Sequence, residues 1–159
     1  MRTYLVPLAI ATFGMTGCQS GGSSGDDPKK PTRPLELVDA PQPADVAAYL
    51  QPLVAKANAT HETLVVYVGA TWCEPCQHFH DAARKHELDA DLGGLRVIQF
   101  DYDRDDAALQ AAGYRSTMLP LFALPGPDGR ASGKQFEGSI KGSGAVAEIV
   151  PHLKALVGR

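Results

Sequence analysis

Residues 63–76 read TLVVYVGATWCEPC, an apolar run followed closely by two cysteines three positions apart. The run Thr63–Gly69 is short, rich in β-branched residues and apolar throughout, which predicts a central strand covered on both faces. From Glu74 onward, apolar and small residues recur at helical spacing. We therefore expect a strand, a short loop and a helix, with Cys73 and Cys76 at the start of that helix.

The start of a helix changes the chemistry of a cysteine. Its unpaired N–H groups carry roughly half a positive charge, which favours the thiolate of Cys73 and predicts that Cys73 is the attacking nucleophile. Cys76 lies on the same helix face, where it can resolve a mixed disulfide. Pro75 fits the first helical turn, because its missing N–H costs nothing there. Trp72 is expected to shield the site and to offer partners an apolar surface.

Strand and helix signals alternate over the rest of the chain. The spacing predicts helices over 44–57, 74–88, 105–112 and 143–157, and strands over 63–69, 95–100, 121–124 and 134–136. The first two strands and the helix between them should form a right-handed βαβ unit with parallel strands. The last two strands should form a hairpin through an Asp-Gly turn, and Asp105 is expected to cap the third helix.

The WCEPC stretch after a buried strand, together with Leu119-Pro120 before a later strand, resembles the thioredoxin family over residues 44–159. The resemblance implies an α/β thioredoxin fold, a central mixed four-stranded sheet flanked by helices, with an extra N-terminal helix. It implies a redox-active disulfide between Cys73 and Cys76. It also implies that Pro120 is cis and packs against the cysteine pair, which leaves the backbone of Leu119 free to pair with a substrate strand.

Two departures from the thioredoxin pattern bear on the chemistry. Thioredoxins usually bury an aspartate in the first of these strands and a lysine in the next, and the matching positions here are Tyr67 and Gln99. The usual proton acceptor for Cys76 is therefore missing, so proton removal must use water, Glu74 or another group. Glu74 replaces the familiar glycine, and its carboxylate should disfavour the Cys73 thiolate. We predict a reducing couple, with an oxidant or isomerase of the same fold as the alternative.

The first 17 residues have the shape of an export signal. Arg2 provides a positive start, residues 5–13 provide a short apolar run, and small residues precede Cys18. The ending MTGC resembles the lipobox of bacterial lipoproteins, which implies that Cys18 becomes the first mature residue and is lipidated. The alternative is a secretory signal with a bystander cysteine. The apolar run is well short of the roughly 20 residues that span a membrane.

Residues 19–34 contain no apolar side chain apart from prolines, so nothing in them can be buried to offset the entropy of ordering. This composition predicts a flexible tether. The chain therefore divides into a signal peptide at 1–17, a lipidated cysteine and tether at 18–43, and a thioredoxin-like domain at 44–159. We expect an extracytoplasmic protein anchored by lipid to a bacterial membrane, with the periplasmic face favoured.

Composition narrows the possible functions. The 159 residues suit one ordinary domain with accessory segments. The content of 44% hydrophobic and 21% charged residues is typical of a globular protein. The net charge of -3 gives no basic surface for phosphate, so nucleic acid is not an expected partner. We expect a monomer with no dissociable cofactor, acting on protein thiols and disulfides and supplied with electrons by a membrane donor.

Metal handling is a competing interpretation of the same segment. Cys73, Cys76, His78 and His80 fall within eight residues, and thiolate with imidazole suits Cu(I) or Zn. His80 shares the helix face of Cys76, whereas His78 should point elsewhere, so at most three ligands converge. The favoured prediction remains an extracytoplasmic protein disulfide oxidoreductase without a metal, and a Cu(I) or Zn metallochaperone is the alternative.

Overall fold

The computed structural model describes residues 33–159. Its elements in chain order are β1 Glu36–Asp39, α1 Val46–Ala59, β2 Thr63–Gly69, α2 Glu74–Arg84, α3 Asp89–Leu92, β3 Leu95–Asp101, α4 Tyr102–Ala111, β4 Leu121–Pro125, β5 Ala131–Glu137 and α5 Ala145–Val157. The predicted signal peptide and Cys18 lie outside the described residues. No helix within 33–159 combines the length and apolar character needed to cross a membrane.

One mixed sheet of five strands runs through the domain in the order β1-β3-β2-β4-β5. Strands β1 and β2 both pair with β3 in parallel, whereas β4 is antiparallel to β2 and to β5. The predicted parallel pair of strands is therefore confirmed as β2 and β3, and the predicted hairpin as β4 and β5. The two pairs are neighbours in the sheet, because β2 lies at its centre between β3 and β4.

Alternate residues of β2 point into two different cores, which explains why the whole strand is apolar. Val65 and Tyr67 pack with α2 and α5 on one face of the sheet. Leu64, Val66 and Val68 pack with α1 and α4 on the other. The structure is thus an α/β sandwich of helix, sheet and helix, as predicted, and α1 is the predicted additional N-terminal helix.

Strand β1 is not among the four strands predicted from the sequence, and it lies within residues 18–43, which were predicted to be part of the tether. It has only four residues, ELVD, two of them acidic, and it lies at the sheet edge with β3 as its neighbour. Such a short, partly polar segment carries almost no periodic signal, and its backbone pairing with β3 provides the order. Leu35 and Ala40 are buried, so the packed domain begins before residue 44.

Helix α4 begins earlier than predicted. Its N-cap is Asp101, whose carboxylate accepts a hydrogen bond from the Arg104 backbone N–H at 3.0 Å. Asp105, the predicted cap, is instead 3% exposed inside the first turns and pairs with the Arg104 guanidinium. The reason is that β3 passes directly into α4, so the first aspartate after the strand takes the capping position.

The predicted helix over 74–88 ends earlier in the structure than the sequence indicated. Helix α2 ends at Arg84, and a separate short helix, α3, spans Asp89–Leu92. Between them His86 adopts a positive φ of 61°, a left-handed conformation that ends a right-handed helix. The apolar spacing continues through the break because Leu88 is buried in the same core as α2.

Candidate active site

The two cysteines of WCEPC form a disulfide at the N-terminus of α2. Cys73 is the N-cap of that helix, and its Sγ accepts a hydrogen bond from the Cys76 backbone N–H at 3.4 Å. Both residues are nearly buried, at 5% and 2% exposure. Pro75 lies in the first turn, where no partner for a backbone N–H is needed. The positive end of the helix is therefore directed at the Cys73 sulfur.

Cys73 opens onto a cleft of about 450 Å³, which we call the front cleft. It is lined by Trp72, Cys73, Glu74, Pro75, Tyr102, Ser116, Thr117, Met118, Leu119, Gly138, Ser139 and Lys141. The Leu119-Pro120 peptide bond is cis, in agreement with the resemblance, and Pro120 itself is buried. Five of the seven residues predicted for the site thus line one cleft, whereas Pro120 and Cys76 are not among its lining residues.

The rim of the front cleft is apolar and exposed. Trp72 is 63% exposed and Met118 57%, and both line the cleft. Ile140, 54% exposed, lies in the chain between two of the lining residues. Within the part of the chain that the structure describes, the backbone of Leu119 makes no hydrogen bond to another backbone group. An extended peptide lying in the cleft could therefore bond to Leu119 and cover these side chains.

The indole of Trp72 is fixed by residues at the start of α4. Its Nε1–H donates to Asp103 Oδ2 at 2.8 Å, and its ring meets Tyr102 edge to face with centroids 6.4 Å apart. Neither residue was predicted from the sequence to belong to the site. A usable signal existed, because both follow the carboxyl end of β3, which lies beside the end of β2 in a parallel sheet.

Glu74 is directed toward the loop between β5 and α5. Its Oε1 accepts a hydrogen bond from the Gly142 backbone N–H at 3.1 Å. The other side of that loop is held by Glu148, which accepts from the Ile140 N–H at 2.6 Å and from the Ser139 hydroxyl at 2.8 Å. Those two bonds lower the pKa of Glu148, with the Ile140 N–H as the larger cause. Two carboxylates therefore shape this wall of the front cleft.

Cys76 lines a second and larger opening of about 650 Å³, which we call the back cleft. Tyr67 and Gln99 lie directly opposite each other in the pairing of β2 with β3, and both line this cleft. The Tyr67 hydroxyl is 3.2 Å from His80 Nε2. His80 thus shares the side of α2 that carries Cys76, as its spacing predicted.

The metal alternative gains no support from this arrangement. Both cysteine sulfurs are bonded to each other, and His78 lies 3.7 Å from Glu74 Oε1 instead of turning toward His80. Across residues 33–159 no group of three or more His, Cys, Asp or Glu side chains is placed to hold a metal ion.

No protein-family model matches the chain, and neither does any curated protein. Solved structures similar to it include oxidized thioredoxin O1 from Arabidopsis thaliana, at 18% identity over 76% of this chain and 96% of that one, with a TM-score of 0.48. Trichomonas vaginalis thioredoxin has 19% identity, covers 78% and 99%, and has a TM-score of 0.46. Trypanosoma brucei brucei thioredoxin has 18% identity, covers 80% and 96%, and has a TM-score of 0.43.

These similarities concern the fold alone. The chain has the thioredoxin fold predicted from its sequence, with a mixed sheet between helices, a cysteine pair at the N-terminus of the helix after β2, and a cis proline before β4.

Proposed function

We propose that the chain is a thiol-disulfide oxidoreductase that acts on disulfides of partner proteins. The observation that carries the proposal is the Cys73–Cys76 disulfide at the N-terminus of α2, beside a cleft with an apolar rim and a cis Leu119-Pro120 bond. A helix N-terminus favours thiolate, and a thiolate next to a peptide-sized cleft suits attack on an extended disulfide-bearing segment.

The exchange proceeds in two displacements. The Cys73 thiolate attacks one sulfur of a partner disulfide, and the other partner sulfur leaves with the electron pair of the broken bond. Cys76, as thiolate, then attacks the Cys73 sulfur, and the remaining partner sulfur leaves. The partner gains two electrons and two protons in total and ends as a dithiol, while Cys73 and Cys76 end as the disulfide.

We favour the reducing direction. The Glu74 carboxylate follows Cys73 in sequence, and a negative charge near a thiolate raises the cost of forming it, so the reduced form gains less stability than the helix N-terminus alone would give. A less stabilised thiolate corresponds to a more reducing couple. In this direction each turnover leaves an oxidised pair, so an upstream electron donor is required.

Membrane anchoring completes the proposal and rests on the sequence. A lipid on Cys18, followed by the predicted tether, would hold the domain at the periplasmic face of a bacterial membrane, where a membrane protein would supply the electrons. The tether from residue 19 to residue 34 would give a typical reach of roughly 20 Å, enough to lift the domain off the lipid headgroups.

A Cys76→Ser variant should accumulate mixed disulfides between Cys73 and its partners. Serine cannot perform the second displacement, so the partner stays attached until an added thiol releases it. The measurement is the appearance of higher-mass bands on non-reducing gels after incubation of the full-length variant with an extracytoplasmic extract, and their disappearance with dithiothreitol.

The matched control is the double variant Cys73→Ser with Cys76→Ser. It differs from Cys76→Ser only in lacking the Cys73 thiol in the front cleft. It should capture nothing. Absence of captured protein with Cys76→Ser, or equal capture by the double variant, would contradict the proposed exchange at Cys73.

A further inference from the structure

The second displacement requires that Cys76 lose its proton inside a buried environment. Cys76 must lose a proton before it can attack Cys73, because the thiolate is the nucleophile, yet its residue is only 2% exposed. The strand positions at which thioredoxins place a buried aspartate and lysine hold Tyr67 and Gln99 here. Since Cys76 contributes to the wall of the back cleft, that opening of about 650 Å³ is a route by which the proton can leave.

His80 is the histidine that lines this cleft with Cys76. It comes four residues after Cys76 on α2, so the two side chains emerge on the same helix face. Its ring is held in place by Tyr67, whose hydroxyl lies 3.2 Å from Nε2 and whose ring centroid is 5.2 Å away at a steep angle. Imidazole is the side chain best suited to exchange a proton near neutral pH.

The carboxylates around the cleft are engaged elsewhere. Asp39 accepts from the Gln99 amide at 3.1 Å, and Asp101 caps α4. Asp81 pairs with Arg84, and that hydrogen bond lowers its pKa and makes it a weaker base. His80 is therefore the lining group that shares the helix face of Cys76 and has a suitable basicity.

Two further features fit a hydrated proton path. A Cβ on Gly69 would lie 2.2 Å from the Tyr67 hydroxyl oxygen, so the absence of a side chain at Gly69 gives that hydroxyl its place. Gln99 lines the back cleft, and its Oε1 is buried without a hydrogen-bond partner among residues 33–159. A polar opening of this size can admit water to such an acceptor.

The charges around His80 set its protonation state. The charged or titratable residues lining the cleft with it are Asp39 from β1, Tyr67 from β2, Asp101 from β3, Asp81 and Arg84 from α2, and Arg104 from α4. Burial lowers the pKa of His80 below its ordinary 6.5, helped by Arg84 and opposed by Asp39 and Asp81. Burial also raises the pKa of Tyr67, so its hydroxyl keeps its proton. At neutral pH the imidazole is thus uncharged, and in the tautomer that donates Nε2–H to the Tyr67 oxygen its Nδ1 lone pair can accept a proton.

We propose that His80, held by Tyr67, is the proton acceptor for Cys76 during the second displacement. This inference rests on the function proposed above. The Cys76 proton passes through water in the back cleft to His80, and the Cys76 thiolate attacks the Cys73 sulfur. A bond forms between the two cysteine sulfurs, and the bond from Cys73 to the partner breaks. The partner sulfur leaves with the electron pair and takes a proton from solvent. His80 then releases the proton that it accepted from Cys76 to solvent.

A two-step reaction with dithiobis-nitrobenzoate separates the roles. The reduced full-length protein, with Cys18→Ser in every variant, should release one thionitrobenzoate when Cys73 attacks and a second when Cys76 resolves the mixed disulfide. We expect His80→Gln to slow the second release about 100-fold at neutral pH, since a positioned general base typically contributes at least that much. The first release should stay within about twofold, because Cys73 faces the front cleft.

The pH profile distinguishes proton transfer from a structural role. The wild-type second release should fall as pH drops through the lowered pKa of His80, where the imidazole becomes charged. In His80→Gln it should instead rise with pH toward the ordinary thiol pKa of about 8.5. Tyr67→Phe, which keeps the ring and removes the hydroxyl, should slow the second release by up to about tenfold, the effect of losing one hydrogen bond that orients the imidazole.

His78→Gln is the matched control, being the same substitution on the same helix at a residue that does not line the back cleft. It should leave the second release unchanged. A second release in His80→Gln with the rate and pH profile of wild type would overturn the inference and leave the proposed function intact. Absence of both releases in the wild type would overturn the proposed function, and this inference with it.

Discussion

Replacing Cys73 with serine should lower the rate of protein disulfide reduction by on the order of 10⁴-fold or more, to the rate of the reductant alone. The reason is chemical, because a hydroxyl at neutral pH is a far weaker nucleophile than a thiolate and forms no disulfide. The helix should survive the change, since Cys73 is the N-cap of α2 and serine is among the preferred N-cap residues. Insulin reduction, followed by turbidity with dithiothreitol as the electron source, gives the rate.

The control for this prediction is stability in the reduced state. The wild-type protein and Cys73→Ser should unfold at similar temperatures in excess dithiothreitol, where neither has the disulfide. A variant that folds normally and keeps more than about a hundredth of the wild-type rate would show that Cys73 is not the attacking group.

Replacing Gly129 with alanine should cost about 3 kcal/mol of folding free energy. Gly129 ends the turn between β4 and β5 with a positive φ of 78, and a Cβ there would lie 2.1 Å from the Ala47 carbonyl oxygen and 2.8 Å from the Gln51 nitrogen, both on α1. Backbone atoms cannot move aside as a side chain would, so the turn must lift off the helix. Thermal unfolding should show a Tm lower by roughly 10 °C.

Gly133→Ala separates the clash from the backbone strain. Gly133 has a similar positive φ of 82, but nothing lies within 4 Å of the position that a Cβ would take. It should therefore cost only the strain of a left-handed alanine, about 1 kcal/mol. Equal losses in the two variants would mean that close contact between the turn and α1 does not contribute to stability.

Elements whose own side chains are buried were predictable from the sequence, whereas elements that depend on tertiary contacts were not. Strand β2 was predicted at its observed limits because every residue after Thr63 is buried, so the sequence shows one unbroken apolar run. Strand β1 could not be predicted, since its order comes from backbone pairing with β3 and not from its own four side chains. The cap of α4 was placed one turn late because Asp101 and Asp105 both precede helical sequence and only tertiary burial distinguishes them.

The site also combines residues that the sequence predicts with residues that only tertiary contacts bring together. The cysteine pair and the proline were predictable because short local motifs carry them. The supports around them depend on contacts between distant residues, such as Trp72 with Asp103 and Glu74 with Gly142, which are 31 and 68 positions apart. The bond between Tyr67 and His80 is of the same kind. The sequence indicated that the usual acid was missing at Tyr67, but not which group lies beside it.

The most direct test of the central claim, a reducing cysteine pair, is the reduction potential of Cys73 and Cys76. It would be measured by equilibrating the protein with defined ratios of reduced and oxidised dithiothreitol or glutathione and quantifying the disulfide. We predict a value near that of thioredoxin, about -270 mV. A value near about -120 mV, typical of a strong periplasmic oxidant, or the absence of a reversible disulfide would contradict the account.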